Sequence, residues 1–184
     1  MVVQHKYRTF WPRFWAGWID TFVFIPLFGV DWLVQQTTSA PVVLALWFVV
    51  YTLSFDIYSV TLHTKYGQTL GKMAMGIKVL SLPETKLSLR QALLRDIVPI
   101  LLSSVSLVFW LPRILAGINP YSEKFELTWV DDLSLYGSLV WFVVELVTML
   151  MNAKHRAVHD LIAGSVVVRV EHIEVELSHS AADA

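Results

Sequence analysis

Apolar positions along this chain fall into four long blocks separated by short polar stretches: Phe14 to Val34, Val42 to Leu62, Ile97 to Leu115 and Leu133 to Met151. Each approaches the ~20 residues that a helix needs to cross a hydrocarbon slab about 30 Å thick. The pattern predicts an all-α membrane protein with four transmembrane helices. Trp11, Trp15, Trp32, Trp110 and Trp129 lie near block ends, where the interfacial belt favours them.

Two shorter patterns differ in period. Between the second and third blocks, Gly67 to Leu89 reads GQTLGKMAMGIKVLSLPETKLSL; Gly71 and Gly76 bracket a basic segment, and 77–80 is β-prone before the Pro83-Glu84 turn. After the fourth block, HDLIAG leads into a second β-prone run at 165–170. The two runs are expected to pair as a small cytoplasmic β-ribbon, which alone would be marginally stable. The chain is expected to be one membrane domain, with residues 171–184 as a flexible tail.

Charge gives this arrangement a direction. Of 14 Lys and Arg residues, only Arg113, at the far end of the third block, and Lys124, in the connection after it, lie on the other side; the remaining twelve precede the first block, lie between the second and third, or follow the fourth. By the positive-inside rule both termini face the cytoplasm, and the expected location is a bacterial inner membrane. Lys6, Arg8 and Arg13 before an apolar run look like a secretory signal, but no small-x-small site follows and the run is too long, so the first helix is expected to be retained.

Composition narrows the class further. At 184 residues, 55% hydrophobic and 16% charged, the chain is a single domain's worth of strongly apolar sequence. A net charge of −1 with no basic stripe excludes nucleic acid as a partner, and the lack of cysteine excludes disulfides, thiolate nucleophiles and Cys-based metal sites.

Against that background, ionisable residues inside the blocks stand out, because a charge at membrane depth is costly unless it faces a partner or water. Asp20 is the first. Arg13 shares its helix face, roughly 10 Å nearer the entrance at 1.5 Å rise per residue. Asp56 bears the same relation to His63, and Glu145 to Asn152, so a layer of three acids is expected, reading either as a cation or proton site or as charges that lock the bundle. Arg95, which can grip a carboxylate with two hydrogen bonds, is expected to neutralise one of the three.

These residues and motifs, in this order, resemble the RDD family of bacterial membrane proteins: Arg13 with Asp20, then GQTLGKMAMGIKV at Gly67 to Val79, RQALLRD at Arg90 to Asp96, and HDLIAGSVVVR at His159 to Arg169. The resemblance covers about Arg13 to Val170. It implies that Arg13, Asp20 and Asp160 are the arginine and two aspartates of the name, and that Gly67, Thr69, Gly71, Lys72, His159 and Gly164 belong to its cytoplasmic motifs. Met73 and Ser165 depart from the pattern. Transport of an undefined ligand, with cation/proton exchange in some members, is what the family implies.

Other chemistry finds little support. His155 and His159 stand at helical i, i+4 spacing beside Asp160, but no third ligand of a zinc site is evident, so neither metal nor cofactor is expected. GQTLGK lacks the GxxxxGK[ST] pattern, and no nucleophile elbow or HExxH marks an enzyme. The sequence therefore predicts a four-helix transporter of a small ligand, cation or proton, in contact with the bilayer and working as a homo-oligomer or with a membrane partner. The alternative is a non-transporting scaffold that binds lipid or protein.

Overall fold

A computed structural model describes residues 6–118, 128–152 and 154–171. The elements are α1 (Phe10–Val23), α2 (Ile25–Thr37), α3 (Pro41–Tyr66), α4 (Leu70–Ala74), β1 (Ile77–Ser81), α5 (Leu89–Arg95), α6 (Ile97–Leu115), α7 (Trp129–Met151), α8 (Val158–Ala163) and β2 (Ser165–Arg169). Four helical runs, Phe10–Thr37, Pro41–Tyr66, Ile97–Leu115 and Trp129–Met151, are long and apolar enough to cross a membrane. The tail expected at 171–184 lies almost wholly outside the described residues.

The first apolar block is not one continuous helix. It breaks at Phe24 (φ −90°, ψ −3°), which closes α1 and opens α2, with Pro26 in the first turn. Proline has no N–H to continue the ladder and its ring crowds the preceding turn, so a new helix start accommodates it better than a helix interior. The run is also longer than the expected 14–34. The second span likewise continues beyond Leu62 to Tyr66 and stops at Gly67, whose φ of +71° and N–H to the His63 carbonyl form a left-handed cap. Only glycine fits there: a Cβ on Gly67 would lie 2.6 Å from the Val79 carbonyl oxygen.

The two strands pair antiparallel from Ile77 opposite Arg169 to Ser81 opposite Ser165. A lone ribbon of this size would not hold in water, but here both faces are covered. Ile77, Val79 and Val167 pack on Ala16, Leu87 and Ala92, while Leu80, Val166 and Val168 form a second cluster with Tyr7. The ribbon, α4, α5 and α8 together cap one end of the bundle, the end bearing most of the Lys and Arg residues. Towards the other end Leu44, Ala45, Phe48, Trp110, Ile114 and Val130 make a separate core. The flanks carry exposed Trp18, Leu46, Ile57, Val108, Val140 and Phe142, the surface that a hydrocarbon environment would cover.

Candidate functional site

At the capped end a single carboxylate gathers two arginines. Asp160, fully buried on α8, accepts from Arg13 Nη1 of α1 through Oδ2 at 2.6 Å and from Arg95 Nη1 of α5 through Oδ1. Ser165 Oγ (3.1 Å) and the backbone N–H of Ala157 (3.0 Å) complete its shell. Burial alone would raise the Asp160 pKa, but the guanidinium groups of Arg13 and Arg95 outweigh it and hold the carboxyl well below the usual range. Arg95 therefore does not neutralise Asp20, Asp56 or Glu145 as the sequence suggested. Its partner is an acid from a six-residue helix that the hydrophobic pattern does not reveal, folded back between α1 and α5.

Asp20 is answered without an arginine. Its Oδ1 accepts from the Tyr58 hydroxyl (2.6 Å) and the Gly71 N–H (2.7 Å), and its Oδ2 from the Thr69 hydroxyl (2.6 Å). Three donors occupy both oxygens, so this buried carboxylate acts as a clamp that ties α4 to α1. The fit is close: a Cβ on Gly71 would sit 2.1 Å from the Ala16 carbonyl oxygen and 2.9 Å from Asp20 Cγ. Thr69 is the N-cap of α4 as well, which explains why Thr69, Gly71 and Asp20 occur together.

Glu145, on α7, meets His159 instead of the other two acids. Its Oε2 contacts His159 Nδ1, and its Oε1 accepts the His159 backbone N–H at 3.2 Å. Arg95 Nη2 lies 2.6 Å from His159 Nε2. A guanidinium can only donate, so Nε2 must be the acceptor and Nδ1 must carry the proton that goes to Glu145. Burial and the Arg95 charge lower the His159 pKa, which agrees with this neutral tautomer. The expected layer of Asp20, Asp56 and Glu145 thus resolves into three separate environments.

Asp56 is the acid left available. It is buried, yet its Oδ2 has no hydrogen-bond partner among the described residues. It lines a cavity of about 700 Å³ between α1, α2, α3, α6 and α7, with Ser103, Ser106, Ser134 and Ser138 on the facing helices and Phe24, Phe28, Tyr51, Phe55 and Trp141 around them. The cavity reaches Asp131 in the first turn of α7, at the end opposite the cap. Below Asp56, Ser59 and His63 continue the same helix face toward the cap at i+3 and i+7 spacing. Ser59 Oγ donates to Asp96 Oδ2 at 2.7 Å and lies 3.2 Å from His63 Nδ1. His63 is almost fully buried, and its Nε2 has no partner among the described residues.

Several of these roles escaped the sequence reading. Tyr58 gives no signal of its own, since its value lies in facing Asp20. The stripe Thr52, Asp56, Ser59, His63 has a helical period and could have been found by following polar residues through the second block. Asp31, also inside a span, takes hydrogen bonds from Trp47 Nε1 (2.7 Å) and Gln35 (2.6 Å). His155 and His159 do not share a helix face, because α8 begins only at Val158 and His155 has φ of +48°. Gly164 closes α8 in the left-handed region, and its carbonyl accepts from Gln91 of α5 at 3.4 Å and from the backbone N–H of Leu82 at 3.0 Å.

The architecture is thus that of a four-span integral membrane protein whose Arg13, Asp20 and Asp160 side chains are buried beneath a cap. The chain belongs to the RDD family: the family model matches residues 7–164. It is also 30% identical over 134 residues to the uncharacterized membrane protein YteJ of Bacillus subtilis (strain 168), an alignment covering 66% of this chain and 76% of that protein. No solved structure matches it.

Proposed function

We propose that this protein carries a small cation across the membrane in exchange for protons, with Asp56 as the group that takes either. The observation supporting this reading is the buried Asp56 Oδ2, without a protein partner among the described residues, on the wall of the large cavity. Buried carboxylates at membrane depth are expensive and are kept where they face a pathway or a partner. The serine hydroxyls supply further oxygen ligands for a cation. Ser59, hydrogen-bonded to Asp96 and close to His63, lies one helical turn from Asp56 and offers polar groups for a proton moving toward the cap. In this reading the basic capped end faces the cytoplasm of a bacterial cell, the cavity opens to the other side, and a second copy or a membrane partner completes the path. The chain acts as a carrier with no covalent chemistry of its own.

The scaffold reading keeps one specific support: Asp20 and Asp160 have both oxygens occupied by donors from other segments, and Arg13 and Arg95 are both bound to Asp160. We assign those four to holding the fold. The test is flux in proteoliposomes under an imposed pH gradient. Asp56→Asn removes the exchangeable charge at a site with no buried ion pair, so it is expected to fold as wild type and abolish cation-dependent proton movement. Wild-type protein that moves no cation, or an Asp56→Asn variant with full flux, overturns the reading.

A further inference from the structure

A second cavity, of about 180 Å³, lies at the capped end between α1 and α7. Its lining combines Arg13, Lys72 and Arg95, the paired Glu145 and His159, and the apolar Phe10, Phe14, Phe142, Leu146 and Met149, with Gly17 on its α1 wall. These helices do not pack closely against each other there, so the lining is a cleft between the first and last spans. Two of its cationic groups have donor capacity to spare. Arg13 is about nine-tenths buried, yet its Nη2 has no hydrogen-bond partner among the described residues. The Lys72 ammonium reaches only the Thr69 hydroxyl, at 3.5 Å, and pairs with no carboxylate among the described residues. The acids nearby are already engaged: Asp160 by two arginines, Glu145 by His159, Asp20 by Tyr58, Thr69 and Gly71.

We infer that this cleft binds a phosphate group, held by Arg13 Nη2 and the Lys72 ammonium, with its substituent running along the apolar wall between α1 and α7. The inference is independent of the transport reading, since it uses none of the Asp56 cavity. Two cationic groups with donor capacity to spare in the lining of one pocket call for an acceptor with several oxygens, and a tetrahedral phosphate offers them in more than one direction. The volume suits such a group and falls below the ~300 Å³ at which pockets for drug-sized ligands begin. The apolar wall favours a phospholipid as the source over free phosphate, because a phosphate in solution would leave Phe10, Phe14 and Phe142 without a partner. Lys72 supports the same conclusion: burial and the Arg95 charge push its pKa down to about 8, so an anion beside it would relieve a real electrostatic cost.

Binding to the purified full chain, delipidated and returned to nanodiscs, tests this. The probes are phosphatidylglycerol, a glucosyl diacylglycerol with the same chains and no phosphate, and inorganic phosphate. Phosphatidylglycerol is expected to bind roughly tenfold or more tightly than the glycolipid, and Lys72→Met to remove most of that preference by deleting one charge-assisted contact. Gly17→Leu separates the two sources of phosphate without touching a charged residue, since a Cβ at Gly17 has no atom within 4 Å and fills open cleft. Loss of phosphatidylglycerol with retention of inorganic phosphate supports a lipid; binding of inorganic phosphate alone, unaffected by Gly17→Leu but lost in Lys72→Met, supports a soluble phosphate. No preference for either phosphate probe in wild type, or a Lys72→Met variant of unchanged spectrum and melting that binds as wild type, overturns the inference.

Discussion

Arg13 and Asp160 stand 147 positions apart in sequence and 2.6 Å apart in space, joining the first span to the segment after the fourth. Arg95 holds the other oxygen of the same carboxylate. Asp160→Asn would leave two guanidinium groups in a buried site with no counter-ion, and breaking a buried pair this way costs ~3–5 kcal/mol. The variant is expected to melt well below wild type in the same detergent. The Asp160 pKa is lower folded than unfolded, so the stabilisation is present above the unfolded value of about 4 and fades as the pH falls through the folded one. The gap between the two melting curves should therefore narrow below about pH 4.

Gly71→Ala is expected to destabilise by ~1–3 kcal/mol, because the added methyl collides with the Ala16 carbonyl, which is backbone and cannot swing aside. Gly17→Ala, one turn along α1 from the Asp20 region and in open space, is the control. It should be neutral or gain up to ~1 kcal/mol from helix propensity. Equal melting temperatures for the two variants would contradict this packing.

Asp20→Asn and Asp56→Asn should separate stability from flux. An amide at position 20 can no longer accept from three donors on two oxygens, and leaving a buried donor unmatched costs ~1–3 kcal/mol. Melting should fall for Asp20→Asn and hold for Asp56→Asn, whereas flux per folded molecule should do the reverse.

Lys72 gives a second pH signature. Its folded pKa of about 8 lies below its ordinary value of 10.5, through burial and the charges of Arg95 and Arg13, with Asp20 and Asp96 opposing them. Between those two values the unfolded chain binds more protons, so stability contributed at this position rises with pH. In nanodiscs without anionic lipid, the melting temperature of wild type relative to Lys72→Met should climb from pH 8 to 10.

The four spans and the ribbon were legible because each follows from a local period: apolar runs long enough for a bilayer, and two β-prone runs beside glycine turns. The charged residues that the structure buries were also visible, since ionisable groups in apolar blocks are conspicuous. Their pairing was not. Residues seven apart on one helix reveal a common face, as for Arg13 and Asp20, but not the partner that each meets across the bundle. The actual choice was made by α4 and α8, helices too short to register in hydropathy, which insert Thr69, Gly71 and Asp160 among the spans. Nor does depth along separate helices show that Asp20, Asp56 and Glu145 meet. Helix rotation decides it, turning each to a different neighbour.

The ribbon seals β1 to β2 from Ile77 opposite Arg169 to Ser81 opposite Ser165, and thereby fixes when the molecule can be finished. During synthesis Arg13 enters the membrane first, and its counter-ion leaves the ribosome only after all four spans have done so. Until then two guanidinium groups await one carboxylate. A chain stopped short of Asp160 would thus leave Arg13 and Arg95 without their shared counter-ion.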